Sequence, residues 1–462
     1  MPTSVRAHTG RRVQADSLCF SDALQETLSS RVAGRIVKLT LAPGVYQVAS
    51  AVGAVTSDTV MAANAATNGT AANGSATQEA SCPGLPPHGF ELGGSASEVI
   101  IEGASDEETI LDAVSGAVAI FTIGPSSPPF RLRRLTIRGG SNAPAIVMTG
   151  GFLEATGCAF TNSSAGAVAL SNARMDVRRS AFLSNGGPLL DQGGAVLASL
   201  AAEITITDSL FADNSARWGG AIFLDATPTP SAAAAIAVRV ERSVFRHNVA
   251  FHGGGALGVL HGLRLDVAGP VVGGRVTATV EQSTMQSNRA GSDGGGAISA
   301  QASFGGPFWR AAPAIAITIS FSNLTHNRAT ARGGAIVASR ASVTLQNQTS
   351  LIENCCASEM DGLCDGESPC GLGAFDDSTV LYSLPAPPGT WVQASGSAVQ
   401  GVLSSVADKA VAFQPHSFPY PCPAGYLGWD GVSTDFLRVQ SQGSCSGPSE
   451  VGGEARIHAH RP

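Results

Sequence analysis

Charge is scarce in this chain: Asp, Glu, Lys and Arg make up 14% of its 462 residues, and aromatics only 6%. A globular domain ordinarily spends about a quarter of its residues on charge. The 28 basic residues are scattered and the net charge is −7, so the sequence offers no basic stripe for nucleic acid or an anionic membrane. No run approaches the ~18 continuous apolar residues that a membrane-spanning helix needs, and no transmembrane segment is expected. The N-terminal MPTSVRAHTGRRVQADSL carries arginines without an apolar stretch behind them, so it does not read as a signal peptide. CxxC is missing, which weighs against zinc and leaves no metal site to name. A P-loop, a GxGxxG turn after a strand and a Ser-His-Asp signature are missing too.

What the chain has instead is glycine, 55 of them, within a 44% hydrophobic composition. That mixture suits tight turns alternating with short buried strands. Nine cysteines fall in informative places. Cys355, Cys356, Cys364 and Cys370 crowd together, Cys422 and Cys445 bracket a C-terminal segment, and Cys19 and Cys82 flank the N-terminal region. Those eight are disulfide candidates and imply an oxidising compartment, with Cys158 left as a buried thiol in a strand-like run. Five sequons, at Asn68, Asn73, Asn162, Asn323 and Asn347, fit the same extracellular or cell-surface setting.

Internal repetition is the strongest signal. Five segments end in asparagine three residues after an apolar anchor: Phe182 to Asn185, Phe211 to Asn214, Phe245 to Asn248, Met285 to Asn288 and Leu324 to Asn327. Each is followed by a glycine pair and a small-then-aliphatic step, as in Gly219-Gly220-Ala221-Ile222. Degenerate copies lie at Phe160-Thr161-Asn162 before and Leu351 to Asn354 after. From Phe160 to Leu351 consecutive anchors are 22, 29, 34, 40, 39 and 27 residues apart. The shortest spacing fits one coil of three short strands; the longer ones are coils with insertions.

Upstream of each anchor the chain alternates, as in Ile204-Thr205-Ile206-Thr207, which turns one strand face inward. The anchor fills the core, the asparagine makes a turn and can bond its counterpart in the next coil, and the glycines permit positive φ at a corner. One coil cannot bury its own apolar side, so neighbours must stack. The asparagines therefore read as a structural ladder.

The paired FxxN and GGAI motifs resemble the repeats of the polymorphic outer-membrane protein family, and the region looks like a pectin-lyase-type right-handed parallel β-helix. The resemblance implies an all-β solenoid with an N-terminal capping helix at Phe20-Ser-Asp-Ala-Leu-Gln25 and a first strand and turn over Ile36–Tyr46. The expected organisation is a cap and first strand over 1–49, a flexible insertion over 50–97, the β-helix over 98–375, and a small Cys-containing tail over 376–462. The family's bacterial members resemble autotransporters, but no amphipathic barrel strands follow Phe375 here.

Folds of this type also host lyases and hydrolases. A polygalacturonase-like site would need clustered carboxylates. Asp376-Asp377 follow the His252-Gly253 and His261-Gly262 pairs here, the reverse of that family's order. Asp191, Asp225 and Asp293 lie near glycine corners and would suit calcium, but not in the register of a pectate-lyase-like site; no other cofactor is implied. Three coils lengthen just after the GGAI strand, at Ala226 to Ala235, His261 to Arg275 and Gln301 to Pro313. Loops at equivalent repeat positions gather on one edge, commonly a binding face. Phe304, Phe308, Trp309 and Arg310, with His261 and Arg264, are the ligand-binding candidates. The expected role is non-catalytic adhesion or binding of a polysaccharide or a matrix or cell-surface protein. The alternatives are a polysaccharide lyase or glycoside hydrolase, and a structural wall component.

Overall fold

The structure, a computed structural model, describes residues 36–47, 90–92, 96–113, 119–227, 235–261, 274–302, 315–330, 333–339, 341–347 and 349–356. Short backbone strands are also described at 5–7 and between 372 and 446. The described residues form a right-handed parallel β-helix with no α-helix among them. The expected capping helix at 20–25 lies outside them.

Each coil contributes one strand to each of three long sheets, here called I, II and III. Ala202–Thr207 lies in sheet I, Leu210–Ala212 in sheet II and Ile222–Asp225 in sheet III. The chain then returns one rung along, to Ala235–Glu241 in sheet I, paired in parallel with Ala202–Thr207. Alternation fixes which side faces in: Ile204 and Ile206 are buried while Thr205 and Thr207 are half-exposed. The coils begin earlier than residue 98, because Ile36–Leu41 and Gly44–Gln47 pair in parallel with the next rung. Phe90–Leu92 joins sheet III from within the stretch read as an insertion.

The anchors stack as one column. Phe160, Phe182, Phe211 and Phe245 lie in register, with ring centroids 4.5, 4.6 and 4.7 Å apart and planes nearly parallel. Met285, Leu324 and Leu351 continue the column in the same register. Each buried ring is worth about 1.5–3 kcal/mol over exposure, and stacking adds about 0.5–1.5 kcal/mol.

Beside the anchors runs the asparagine ladder, wholly buried from Asn185 to Asn354. The amide oxygen of Asn214 accepts from the backbone N–H (3.0 Å) and side-chain amide (3.0 Å) of Asn185. The Asn214 amide donates to the Phe182 carbonyl at 3.0 Å and to the Asn248 oxygen at 2.9 Å. The asparagine itself does not make the turn. The left-handed residue is the one before it, Ser184, Asp213, His247, Ser287, His326 or Glu353. In the first copy Asn162 takes that left-handed place, and the ladder begins at Ser163, whose backbone N–H donates to Asn185.

A second ladder runs two residues ahead of the anchors. Ser180, Ser209, Ser243 and Ser283 each donate their backbone N–H to the next serine's hydroxyl, the last to Ser322. Cys158 opens this column, donating its N–H to Ser180. The Cys158 thiol is free and buried, and desolvation pushes its pKa up to about 12.

The two glycines of each pair do different work. Gly219 has φ +62°, the left-handed conformation that side chains resist. Gly220 lies so close to the next coil that a Cβ there would sit 2.4 Å from the Gly255 carbonyl oxygen. The pair thus turns the corner and lets adjacent coils touch.

Candidate functional site

In the glycine-pair coils a short fourth sheet lies between sheets II and III. It holds Ser215–Trp218, Val249–Gly253, Arg289–Ala290, Arg328–Ala329 and Cys355–Cys356. Its first pairing is irregular: Ala216 faces Ala250 and Trp218 faces Gly253, so Arg217 alone opposes both Phe251 and His252. Such a bulge bends the strand and re-aims its side chains.

The re-aimed side chains meet their neighbours on adjacent coils. Two residues before the first glycine of successive pairs stand Asp191, Arg217, His252 and Asp293. Arg217 Nη1 donates to Asp191 Oδ1 at 3.0 Å, and Arg217 Nη2 lies 3.4 Å from His252 Nε2. His252 Nδ1 lies 3.2 Å from Asp293 Oδ2. The four groups form a chain of polar contacts running along the helix axis, one per coil. All four keep solvent access, from 33% for the His252 side chain to 76% for Asp191.

Apolar surface flanks the column. The Trp218 ring stacks on His252 with centroids 5.1 Å apart and an interplanar angle of 18°, and tilts against buried Phe223 at 6.5 Å. Phe251 is 40% exposed and Leu189 94% exposed. Gly253 lies close beside the indole: a Cβ there would come 3.2 Å from its ring and 2.9 Å from the Ser299 hydroxyl. Gln301 donates to the Ser299 hydroxyl at 3.0 Å and to the Asp293 carbonyl at 3.3 Å.

No family model, curated protein or solved structure matches the chain. The site must therefore be read from its own chemistry. Fixed donors and acceptors beside an aromatic ring, half open to water, are the components of a sugar- or peptide-binding surface. Chemistry of the glycosidase kind needs two carboxyl groups about 5–9.5 Å apart. Asp191 and Asp293 are separated by three coil steps, roughly 14 Å at ~4.8 Å per step. Among the described residues no group of three or more His, Cys, Asp or Glu side chains is placed to hold a metal ion.

Of the residues singled out from sequence, the structure brings Asp191, His252 and Asp293 together. It leaves Asp225 apart, at the far end of its sheet III strand, where it accepts from the Thr227 N–H at 3.0 Å. His261 ends the strand Leu257–His261, facing Ala302. Phe304, Phe308, Trp309, Arg310 and Arg264 lie outside the described residues, as do Asp376 and Asp377. The stems of the three insertions do stand side by side: Ala226 N–H donates to the Leu260 carbonyl, and Leu260 pairs with Gln301. Arg217 and Trp218 were passed over in the sequence because neither belongs to FxxN or GGAI. Reading down the repeat two residues ahead of the glycines would have found the column.

Cys355 is disulfide-bonded. The other paired-cysteine candidates, Cys19, Cys82, Cys364, Cys370 and Cys422, lie outside the described residues; Cys356 and Cys445 are described in backbone alone.

Proposed function

We propose that this chain is a non-catalytic β-helix of the extracellular or cell-surface kind, which binds glycan in adhesion or matrix attachment. The observation that carries the reading is the half-exposed Trp218–His252 stack beside the Arg217–Asp191 pair, held on a rigid solenoid wall. An aromatic face takes the apolar face of a sugar ring, and the flanking carboxylates and guanidinium take its hydroxyls. The setting is supported by the disulfide at Cys355 and by Asn162, Asn323 and Asn347, which are exposed sequons. The FxxN and GGAI repeats, now seen as ladder and corner, favour kinship with the polymorphic outer-membrane repeat family.

A glycan array on purified protein, with reducing-end and unsaturated-product assays on the same samples, tests the proposal. Binding without turnover, weakened at least about tenfold (1.4 kcal/mol) by Trp218→Ala, is the expected result. Trp309→Ala separates this surface from the insertion edge: loss there alone would move the site to the loops. Turnover of any polysaccharide would sink the non-catalytic reading.

A further inference from the structure

Resting on the glycan-binding reading, we infer that the column accepts a neutral, hydroxyl-rich polysaccharide lying along the helix axis, and rejects polyuronates and sulfated glycans. Charge decides this. The column holds two carboxylates, Asp191 and Asp293, against one guanidinium, and that guanidinium is already bonded to Asp191 at 3.0 Å. Its carboxylates outnumber its guanidinium two to one, within a chain of net charge −7. An anionic polymer would meet the Asp293 carboxylate, which no guanidinium of the column offsets, at one end and would have to displace Asp191 to reach Arg217 at the other. A neutral chain meets what hydroxyls need, acceptors at Asp191 and Asp293 and guanidinium donors at Arg217, which His252 holds in line between Arg217 and Asp293.

Direction follows from the spacing of those groups. They repeat once per coil over roughly 14 Å, at ~4.8 Å per coil step. A chain laid along the axis meets a new polar group at each step, whereas one laid across it meets only one or two. Trp218 sits beside the middle of the column, so its ring supplies an apolar platform there.

The test is calorimetric titration of the full chain with neutral gluco-, xylo- and manno-oligosaccharides of increasing length. Oligogalacturonate and a heparin-derived oligosaccharide are run in parallel, each at low and high salt. Neutral oligomers should bind, gain affinity with length until the column is filled, and show little dependence on salt. Asp191→Asn should weaken binding of the neutral ligand, since an accepting carboxylate oxygen becomes an amide donor; His252→Gln should weaken it about threefold or more, since the ring that lines up Arg217 and Asp293 is lost. Oligogalacturonate binding that Asp191→Asn strengthens would overturn the inference while leaving the glycan-binding reading intact. A monosaccharide bound as tightly as longer oligomers would overturn the axial placement. Absence of any glycan binding, neutral or anionic, would instead remove the reading on which the inference rests.

Discussion

Asn248 is wholly buried yet makes four side-chain bonds: its oxygen accepts two from Asn214, and its amide donates to Asn288 and to the Phe211 carbonyl. Removing the amide strands a backbone N–H and a side-chain amide in the core, and each unpaired group costs about 1–3 kcal/mol. Asn248→Ala should therefore lower stability by roughly 2–4 kcal/mol, read as a fall in the urea midpoint at unchanged slope. Cys158 gives a prediction of a different kind. Burial raises its thiol pKa to about 12, from an ordinary value of 9.0, so the folded chain holds a proton that the unfolded chain releases. A raised folded-state pKa means stability is fully present below pH 9 and is lost as pH climbs towards 12, at about 1.4 kcal/mol per pH unit. Cys158→Ser should abolish that part of the alkaline decline, measured as the difference between the two denaturation-against-pH curves. Serine already fills the equivalent place in the next coils, so the variant should fold.

At the scale of the element, the corner is where the coil is most tightly specified. A Cβ at Gly220 would stand 2.4 Å from one backbone oxygen and 2.6 Å from the Val249 carbonyl, with no side-chain end to move aside. At Gly187, in the coil before, a Cβ would meet nothing within 4 Å. Gly220→Ala should thus cost about 1–3 kcal/mol or more, while Gly187→Ala should be neutral or slightly stabilising; thermal melts of the pair check this. Corner and ladder were legible in the sequence because a stacked fold repeats the same constraint in each coil: GGAI and FxxN recur where backbones touch and amides bond. The left-handed residue before each asparagine was not legible, since Ser, Asp, His and Glu all occupy it. The serine ladder was half-hidden by Cys158 at its head. The polar column was hidden for the opposite reason, that its residue type changes from each coil to the next. Asp191, Arg217, His252 and Asp293 share only a position, and complementarity between neighbouring coils is what makes them one feature. Sheet I shows the same complementarity between coils, with Arg131 between Glu98 and Glu154, and Arg239 beside Glu281.

Across the whole molecule, stability is a sum over coils and the interfaces between them, so the ladders act as a continuous thread. The ends need separate treatment, because a bare sheet edge recruits other strands. Val5–Ala7 closes sheet I at the first coil, running antiparallel to Ile36–Leu41. At the other end Val411–Phe413 closes sheet III and Ser417–Phe418 closes sheet II, again antiparallel. Between the last coils and the tail lies Cys355, buried, disulfide-bonded and directly after Asn354 at the end of the ladder. A cross-link there constrains the unfolded chain and should contribute about 2–4 kcal/mol. Its loss should be felt unevenly, since a coil contacts only its neighbours. Reduction should loosen the terminal coils around Asn327 and Asn354 first, while the Phe160-to-Phe245 stack stays protected. Hydrogen exchange with and without reductant checks this: faster exchange confined to residues beyond about Ile315 is expected. Uniform acceleration along the chain would mean instead that the solenoid unfolds as one unit, with the disulfide stabilising all of it.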